Sequence, residues 1–263
     1  MHIKIDGLEF SYSSKTVLKD LCLDLEGPQF VTILGPNGVG KSTLIHCMNK
    51  ILSPTKGTVL IDDVDVSEIK LKEMAKKIGY VPYASTDTFP LSVVDTVLMG
   101  RSPHSGWKPS KEDLNIVYDV LKMLRIDDLA MRPFNELSAG QHQKVMLARG
   151  LVQDPEIMLL DEPTSNLDIR HQLEVTNILK SLSKKEDLLV LMISHDINIS
   201  AKFSDKILLL YGGSIMAAGT PEEVITAENI REVYGVDCDV IQADGHPHVI
   251  LKKPVDPGIE WVE

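Results

Sequence analysis

The sequence predicts an α/β fold: a mostly parallel sheet flanked by helices, an antiparallel β side sheet, and a helical subdomain inserted in the middle. Three observations predict it. The runs FVTILG (30–35), IMLLDEP (157–163), LLVLMISH (188–195) and KILLLYGG (206–213) are apolar without alternation, as expected of parallel strands buried on both faces. Ahead of them Ile3, Ile5, Leu8 and Phe10, then Leu21, Leu23 and Leu25, fall in alternating stretches, the pattern of antiparallel strands with one solvated face. Between IGYVPYAS and ELSAG the apolar residues recur every three or four positions with no strand between them, which is a helical period.

In chain order, MHIKIDGLEFSYSS alternates from its start and reads as a strand, without the basic start, apolar core and cleavage site of a signal peptide. FVTIL leads through a Gly-rich turn into the helix KSTLIHCMNKI. SVVDTVLMGR and KEDLNIVYDVLKMLR are helices, and another opens at ELSAG. From about residue 221 the tail reads as two short helices and then two strands joined at Asp244-Gly245, a hairpin turn. No internal repeat or low-complexity segment interrupts this order.

Composition bounds the partners. With 263 residues and 43% hydrophobic content the chain can bury a substantial core. Lys and Arg number 27 against 38 Asp and Glu, a net charge of −11, so no nucleic-acid partner is expected and any phosphate site must be local. Cys22, Cys47 and Cys238 lie far apart with no CxxC spacing, which argues against a zinc site or a disulfide scaffold and fits a reducing cytoplasm. The longest apolar runs are less than half of the roughly 20 residues a membrane helix needs, so a soluble or peripheral chain is expected.

The chemistry begins at GPNGVGKST, residues 35–43. Its glycines let successive backbone N–H groups point at phosphate oxygens, Lys41 places a charge on the β/γ-phosphates, and the Ser42 hydroxyl can ligate Mg²⁺. Following a strand and opening a helix, Gly35, Pro36, Asn37, Gly38, Val39, Gly40, Lys41, Ser42 and Thr43 form the cradle of a P-loop NTPase core. IMLLDEP puts Asp161 and Glu162 at a strand end, where the first carboxylate can hold a Mg²⁺ shell and the second can reach a water; without the cradle they would read equally as two solvated carboxylates. His195, at the end of the next buried strand, has the position of a γ-phosphate sensor or of a structural histidine. Tyr12 can stack an adenine face or simply pack on an edge strand. No NKxD guanine-reading motif is present, which weighs against a GTPase. A second phosphate-binding pattern stands at Ser138-Ala139-Gly140-Gln141, where small residues open a helix.

GPNGVGKST, LSAGQ, LLDEPTSNLD and SHD, in this order and at these separations, resemble the nucleotide-binding subunit of an ATP-binding-cassette (ABC) transporter over nearly the whole chain. The resemblance implies one ABC ATPase domain: a RecA-like core with its β side sheet over 1–83 and 153–220, a helical signature subdomain over 84–152, and a C-terminal extension over 221–263. It also implies why one chain carries two phosphate cradles. Two subunits face head to tail, and each ATP lies between one chain's 35–42 loop and its partner's Ser138, Gly140 and Gln141. Carried over residue by residue, Glu162 matches the carboxylate that orients or activates the water, His195 the switch histidine, Asp161 the Mg²⁺-linked aspartate, Asp168 the end of the loop that crosses the dimer interface, and Tyr12 the adenine-stacking aromatic.

Two positions depart from the family pattern. After YVP, where glutamine is usual, stands Tyr83; a phenol offers no amide carbonyl, so water or a neighbour such as Asp87 substitutes, or coupling to the membrane subunit is altered. The signature has Ala139 for the usual glycine, harmless if its φ is negative. VVDTVLMGRSPHSGWKPSKEDLNIV, DIRHQLEV and GTPEEVITAENIREVYGVDCDV further resemble the ATPases of importers for iron siderophores, haem and vitamin B12. That subgroup implies a homodimer at the cytoplasmic face of the membrane under a polytopic permease, fed by an external substrate-binding protein. The competing readings are a soluble ABC ATPase uncoupled from transport, an ABC ATPase of another importer class, and a nucleotide-gated scaffold that hardly hydrolyses ATP.

Overall fold

The computed structural model describes residues 1–83, 91–104 and 108–255. Its main sheet has the order β10-β9-β3-β8-β7-β6, built from β3 (Phe30–Leu34), β6 (Ile78–Val81), β7 (Ile157–Leu160), β8 (Leu189–Ile193), β9 (Lys206–Tyr211) and β10 (Ser214–Gly219). All neighbours are parallel except β9 and β10. The absence of alternation has its cause in the layers. Along β8, Leu189, Leu191 and Ile193 enter one apolar cluster while Val190 and Met192 enter another on the opposite face. Along β7, Ile157 and Leu159 divide from Met158 and Leu160 in the same way. Each strand is therefore apolar at every position because it has no solvated side.

The side sheet, order β2-β1-β4-β5, is antiparallel. β1 (His2–Tyr12) and β2 (Lys15–Glu26) alternate buried and exposed residues along much of their length. β4 (Lys56–Ile61) and β5 (Val64–Asp65) complete it, pairing Ile61 with Ile3 and Val59 with Ile5. Between the two sheets runs α1 (Lys41–Met48), whose Leu44, Ile45, Cys47 and Met48 join the cluster shared by both. α1 is shorter than its sequence suggests: Asn49 caps it and Lys50 takes a positive φ of 55°. α2 (Leu71–Lys77) leads back into β6.

The helical subdomain carries α3 (Val93–Leu98), α4 (Lys111–Met123) and α5 (Ala139–Leu151), joined by short 3₁₀ turns. Val93, Val97, Val117, Leu121, Phe134 and Val145 pack into the second cluster with Met158 and Leu160 of the main sheet. Arg101 and Asp113, both buried, close an ion pair at 2.9 Å, and Arg101 also donates to the Val152 carbonyl. Beyond the 162–168 loop come α6 (Ile169–Lys185) and α7 (Ile197–Phe203), then α8 (Pro221–Val224), α9 (Ala227–Tyr234) and the hairpin of β11 (Val236–Ala243) and β12 (His246–Pro254). Its turn is Asp244-Gly245 with φ of 50° and 81°, the double positive φ of a type I′ hairpin turn. This tail packs on the end of β3: Val224, Ile230, Val233 and Val249 share a cluster with Leu34.

Candidate nucleotide-binding and catalytic site

The cradle is positioned by the end of β3. The chain turns at once at Gly35, where φ is 146° and a Cβ would lie 2.4 Å from the Leu210 carbonyl oxygen. It turns again at Gly40, with φ 110° and a would-be Cβ 2.7 Å from Leu18 Cδ2; only glycine fits either place. α1 then starts at Lys41, which is 5% exposed and donates from Nζ to the carbonyls of Gly35 at 2.8 Å and Pro36 at 2.9 Å. Burial holds its pKa below the ordinary lysine value, with Glu162 and Asp161 pulling the other way. No acidic residue occupies the first turn of α1, so the positive end of its dipole is uncompensated beside the loop. Asn37 and Gly38 are exposed at the crest of the loop, while Pro36 and Val39 are half-buried.

The carboxylates arrive on β7. Asp161 N donates to the Val81 carbonyl at 2.9 Å, tying the ends of β7 and β6. Its Oδ1 accepts from Ser42 Oγ at 3.0 Å. Asp161 is 4% exposed, and burial raises its pKa, partly countered by the Ser42 hydrogen bond. A hydroxyl and a carboxylate side by side are hard oxygen donors suited to Mg²⁺. Among the described residues no group of three or more His, Cys, Asp or Glu could hold a metal ion.

Glu162 stands at φ 51°, a left-handed conformation that costs a non-glycine residue about 1–2 kcal/mol. Its Oε1 lies 2.6 Å from Nε2 of His195, just past the end of β8. The neighbouring Asp196 caps α7 by accepting from Ile199 N at 2.8 Å. The pair can hold a water-activating carboxylate in one orientation and place an imidazole beside it.

The second cradle is built differently. Ser138 caps α5, accepting from Gln141 N at 3.4 Å, and Gln141 Oε1 accepts from Ser138 N at 3.1 Å. This reciprocal capping box is legible as S-x-x-Q. Ala139 is the first helical residue and is not among the residues with positive φ, so glycine is not required there. Gly140 is buried, with a would-be Cβ 2.7 Å from the His171 ring. Asp168, exposed, caps α6 through its bonds to His171.

One chain thus brings together the 35–43 loop, Asp161, Glu162 and His195. The end of β1 lies near them, since Val17 and Leu18 just across the β1–β2 turn approach Gly40. There Tyr12 is half exposed, its ring edge-on to Phe10 at 4.8 Å. The signature is elsewhere: among the described residues no hydrogen bond or ion pair links 138–141 to 35–43. Instead it faces its own 162–167 loop across a cavity of about 220 Å³ lined by Leu137, Ala139, Gln143, Glu162, Ser165 and Asn166. Tyr83 follows β6 and is half exposed; Asp87 lies outside the described residues.

Two supporting residues escaped the sequence reading. His46 Nε2 and the Tyr80 hydroxyl are 2.9 Å apart, joining α1 to β6, and burial, with a smaller push from Asp161, raises Tyr80 to a pKa of about 12. The available signal was spacing, because His46 lies four residues after Ser42 on the same helix face.

A family model described as ABC transporter matches residues 18–165. An uncharacterized ABC transporter ATP-binding protein of Methanocaldococcus jannaschii is 46% identical over 250 residues, 95% of this chain and 98% of that protein. The hemin import ATP-binding protein HmuV of Thermobifida fusca is 37% identical over 91% of this chain and 83% of its own length. Among solved structures, a chain of a metal-chelate type ABC transporter in an inward-facing conformation superposes with a TM-score of 0.84 at 29% identity, covering 95% of this chain and 96% of its own. The ATP-binding cassette MJ0796, dimeric in a post-hydrolysis state with ADP and Pi, gives 0.73 at 29% identity, covering 83% of this chain and 98% of its own.

Proposed function

The chain belongs to the ABC transporter family and is an ABC ATPase; from that premise we propose that it powers an importer for an iron chelate, haem or cobalamin. It works as a head-to-tail homodimer under a polytopic permease at the cytoplasmic face of the membrane, with an external binding protein delivering the cargo. The observation that carries this reading is the division of the phosphate machinery. One chain joins Lys41, Ser42, Asp161, Glu162 and His195, whereas its Ser138 and Gln141 bond each other, its Gly140 packs on His171, and the signature meets that machinery only across the cavity beside Glu162. Two copies placed head to tail complete each other's sites. The hemin-import and metal-chelate relatives support the cargo class, and the dimeric cassette supports the assembly. Among the described residues no helix is long and apolar enough to cross a membrane, so the membrane passage belongs to the permease.

Each residue then has a task. The loop amides, the α1 dipole and Lys41 bind the β- and γ-phosphates. Ser42 and Asp161 hold Mg²⁺, which when bound neutralises developing charge on the phosphates. Tyr12 stacks on the adenine. Glu162 orients the attacking water and accepts its proton, and His195, bonded to Glu162, keeps that carboxylate aimed and contacts the γ-phosphate. Ser138, Gly140 and Gln141 of the partner close over the same nucleotide with the dipole of α5. Asp168 stands at the crossing loop. Hydrolysis removes the charge that both halves grip, so the dimer opens and the permease receives a mechanical signal. The testing experiment is a tagged pull-down from detergent-solubilised native membranes. Recovery of a polytopic permease, with a haem, corrinoid or iron-chelate chromophore, is the expected result; recovery from the soluble fraction alone would overturn the transport assignment.

A further inference from the structure

His171 belongs to neither cradle, yet it touches both interface elements of one protomer. Its backbone N and its ring Nδ1 lie 2.9 and 2.8 Å from Asp168 Oδ1. The opposite edge of the ring lies against Gly140: a Cβ built there would sit 2.7 Å from Cδ2 and 3.1 Å from Nε2. Asp168 ends the 162–168 loop, and Gly140 sits in the first turn of α5. The ring therefore fills the space between them. A glycine at 140 serves the approach of this ring as well as any approach of phosphate.

The surroundings make this contact consequential. On the surface side α5 and α6 are separated by a cleft of about 890 Å³, lined among others by Gly140, Gln141, Lys144, Arg170, His171 and Glu174. Across it runs the Lys144–Glu174 ion pair at 3.3 Å, with Arg170 also on Glu174 at 3.1 Å. Deeper down, Val145 and Met146 share a cluster with Val175 and Leu179. That packing fixes the distance between the helices, and on its inner side the first turn of α5 is held by the His142 ring, 4.1 Å from that of buried Phe134; its outer side faces α6. His171 is the group placed there.

We propose that His171 is a positioning residue that locks the signature turn of α5 to the 168 loop, so that both interface elements meet the partner as one rigid body. The inference about the protomer stands on geometry alone; its use in the dimer rests on the head-to-tail reading above. Two readouts on the same variants separate these. The first is hydrogen exchange on the nucleotide-free full chain. His171→Ala should accelerate exchange of amides 141–144 by roughly fivefold while leaving 35–43 unchanged. His171→Asn, which can still donate to Asp168 but carries no ring to pack on Gly140, should recover little of the protection. Unchanged exchange at 141–144 in His171→Ala overturns the lock.

The second readout is ATP-driven dimerisation in the Glu162→Gln background. There His171→Ala should weaken the dimer about tenfold with single-chain ATP affinity within about twofold of the parent, a split that general destabilisation would not give. If exchange responds but the Glu162→Gln parent stays monomeric with Mg-ATP, the lock stands and the head-to-tail reading falls. If the parent dimerises and His171→Ala dimerises equally tightly, the lock's role in assembly is overturned.

Discussion

The two proposed phosphate cradles of this chain use the same backbone device, a helix N-terminus opened by small residues, and differ in everything around it. The 35–43 cradle is enclosed and charged: Lys41 is buried on two carbonyls, Asp161 is buried on Ser42, and the turns at Gly35 and Gly40 exclude any side chain. The 138–141 cradle is shallow, with Ser138 and Ala139 exposed and the Ser138 hydroxyl engaged with Gln141 in a capping box. One half carries fixed charge on tight glycine turns; the other offers dipoles and hydroxyl geometry. An uncharged cradle grips phosphate weakly in water, so it contributes only when another surface has already desolvated the anion. In the proposed head-to-tail dimer this asymmetry assigns order: the first cradle would bind the nucleotide, and the second would report that it is bound.

Substitutions can break this contrast or sharpen it. The largest effect is expected at Glu162, the strained carboxylate on His195. Glu162→Gln should lower turnover by about 10²–10⁴-fold while retaining Mg-ATP and persisting as a closed dimer, read by phosphate release and by sedimentation. Unchanged turnover would refute its role. Next, Lys41→Ala should reduce hydrolysis by about 10²–10³-fold and also weaken single-chain ATP binding, measured by nucleotide titration; wild-type rates would sink the first cradle.

Ser138→Ala probes the other side. Loss of the cap should cost about 1 kcal/mol of stability and lower hydrolysis without changing single-chain ATP affinity, so thermal melting and titration together separate it from Lys41→Ala. The smallest change is expected from Tyr83→Gln on an exposed site. Folding stability should move by no more than about 0.5 kcal/mol and ATP binding should be retained, while permease-stimulated hydrolysis changes in reconstituted membranes. Identical stimulation would show that position 83 is not a coupling element.

Legibility in the sequence followed the same contrast. The four apolar runs and the hairpin at Asp244-Gly245 were readable because double burial and a double positive φ each demand particular residues. β4 and β5 were not, since Lys56, Gly57 and the short Val64–Asp65 pair carry little β pattern; β4 forms on the edge that β1 offers, and β5 in turn on the edge of β4. In the site, the glycines and charges of 35–43 announce their chemistry. The Glu162–His195 contact joins residues 33 positions apart, and their motifs suggested roles without the 2.6 Å bond between them. Tyr80 and His171 left no mark in the sequence as site residues and His46 only its spacing from Ser42, because each contact is tertiary, and DIRHQLEV reads as a subgroup marker until the ring is seen against Gly140.

The central claim is that the first cradle of one chain meets the second cradle of another across one nucleotide. The most direct measurement is oxidative crosslinking in a Cys22→Ser, Glu162→Gln background, mixing a chain carrying Asn37→Cys with a chain carrying Ser138→Cys. Asn37 and Ser138 are both exposed in the single chain. The expected result is a mixed covalent dimer that forms with Mg-ATP and not without nucleotide, and no ATP-dependent 37–37 or 138–138 crosslink in either chain alone. Absence of the 37–138 crosslink in a sample that sediments as an ATP-driven dimer would contradict it.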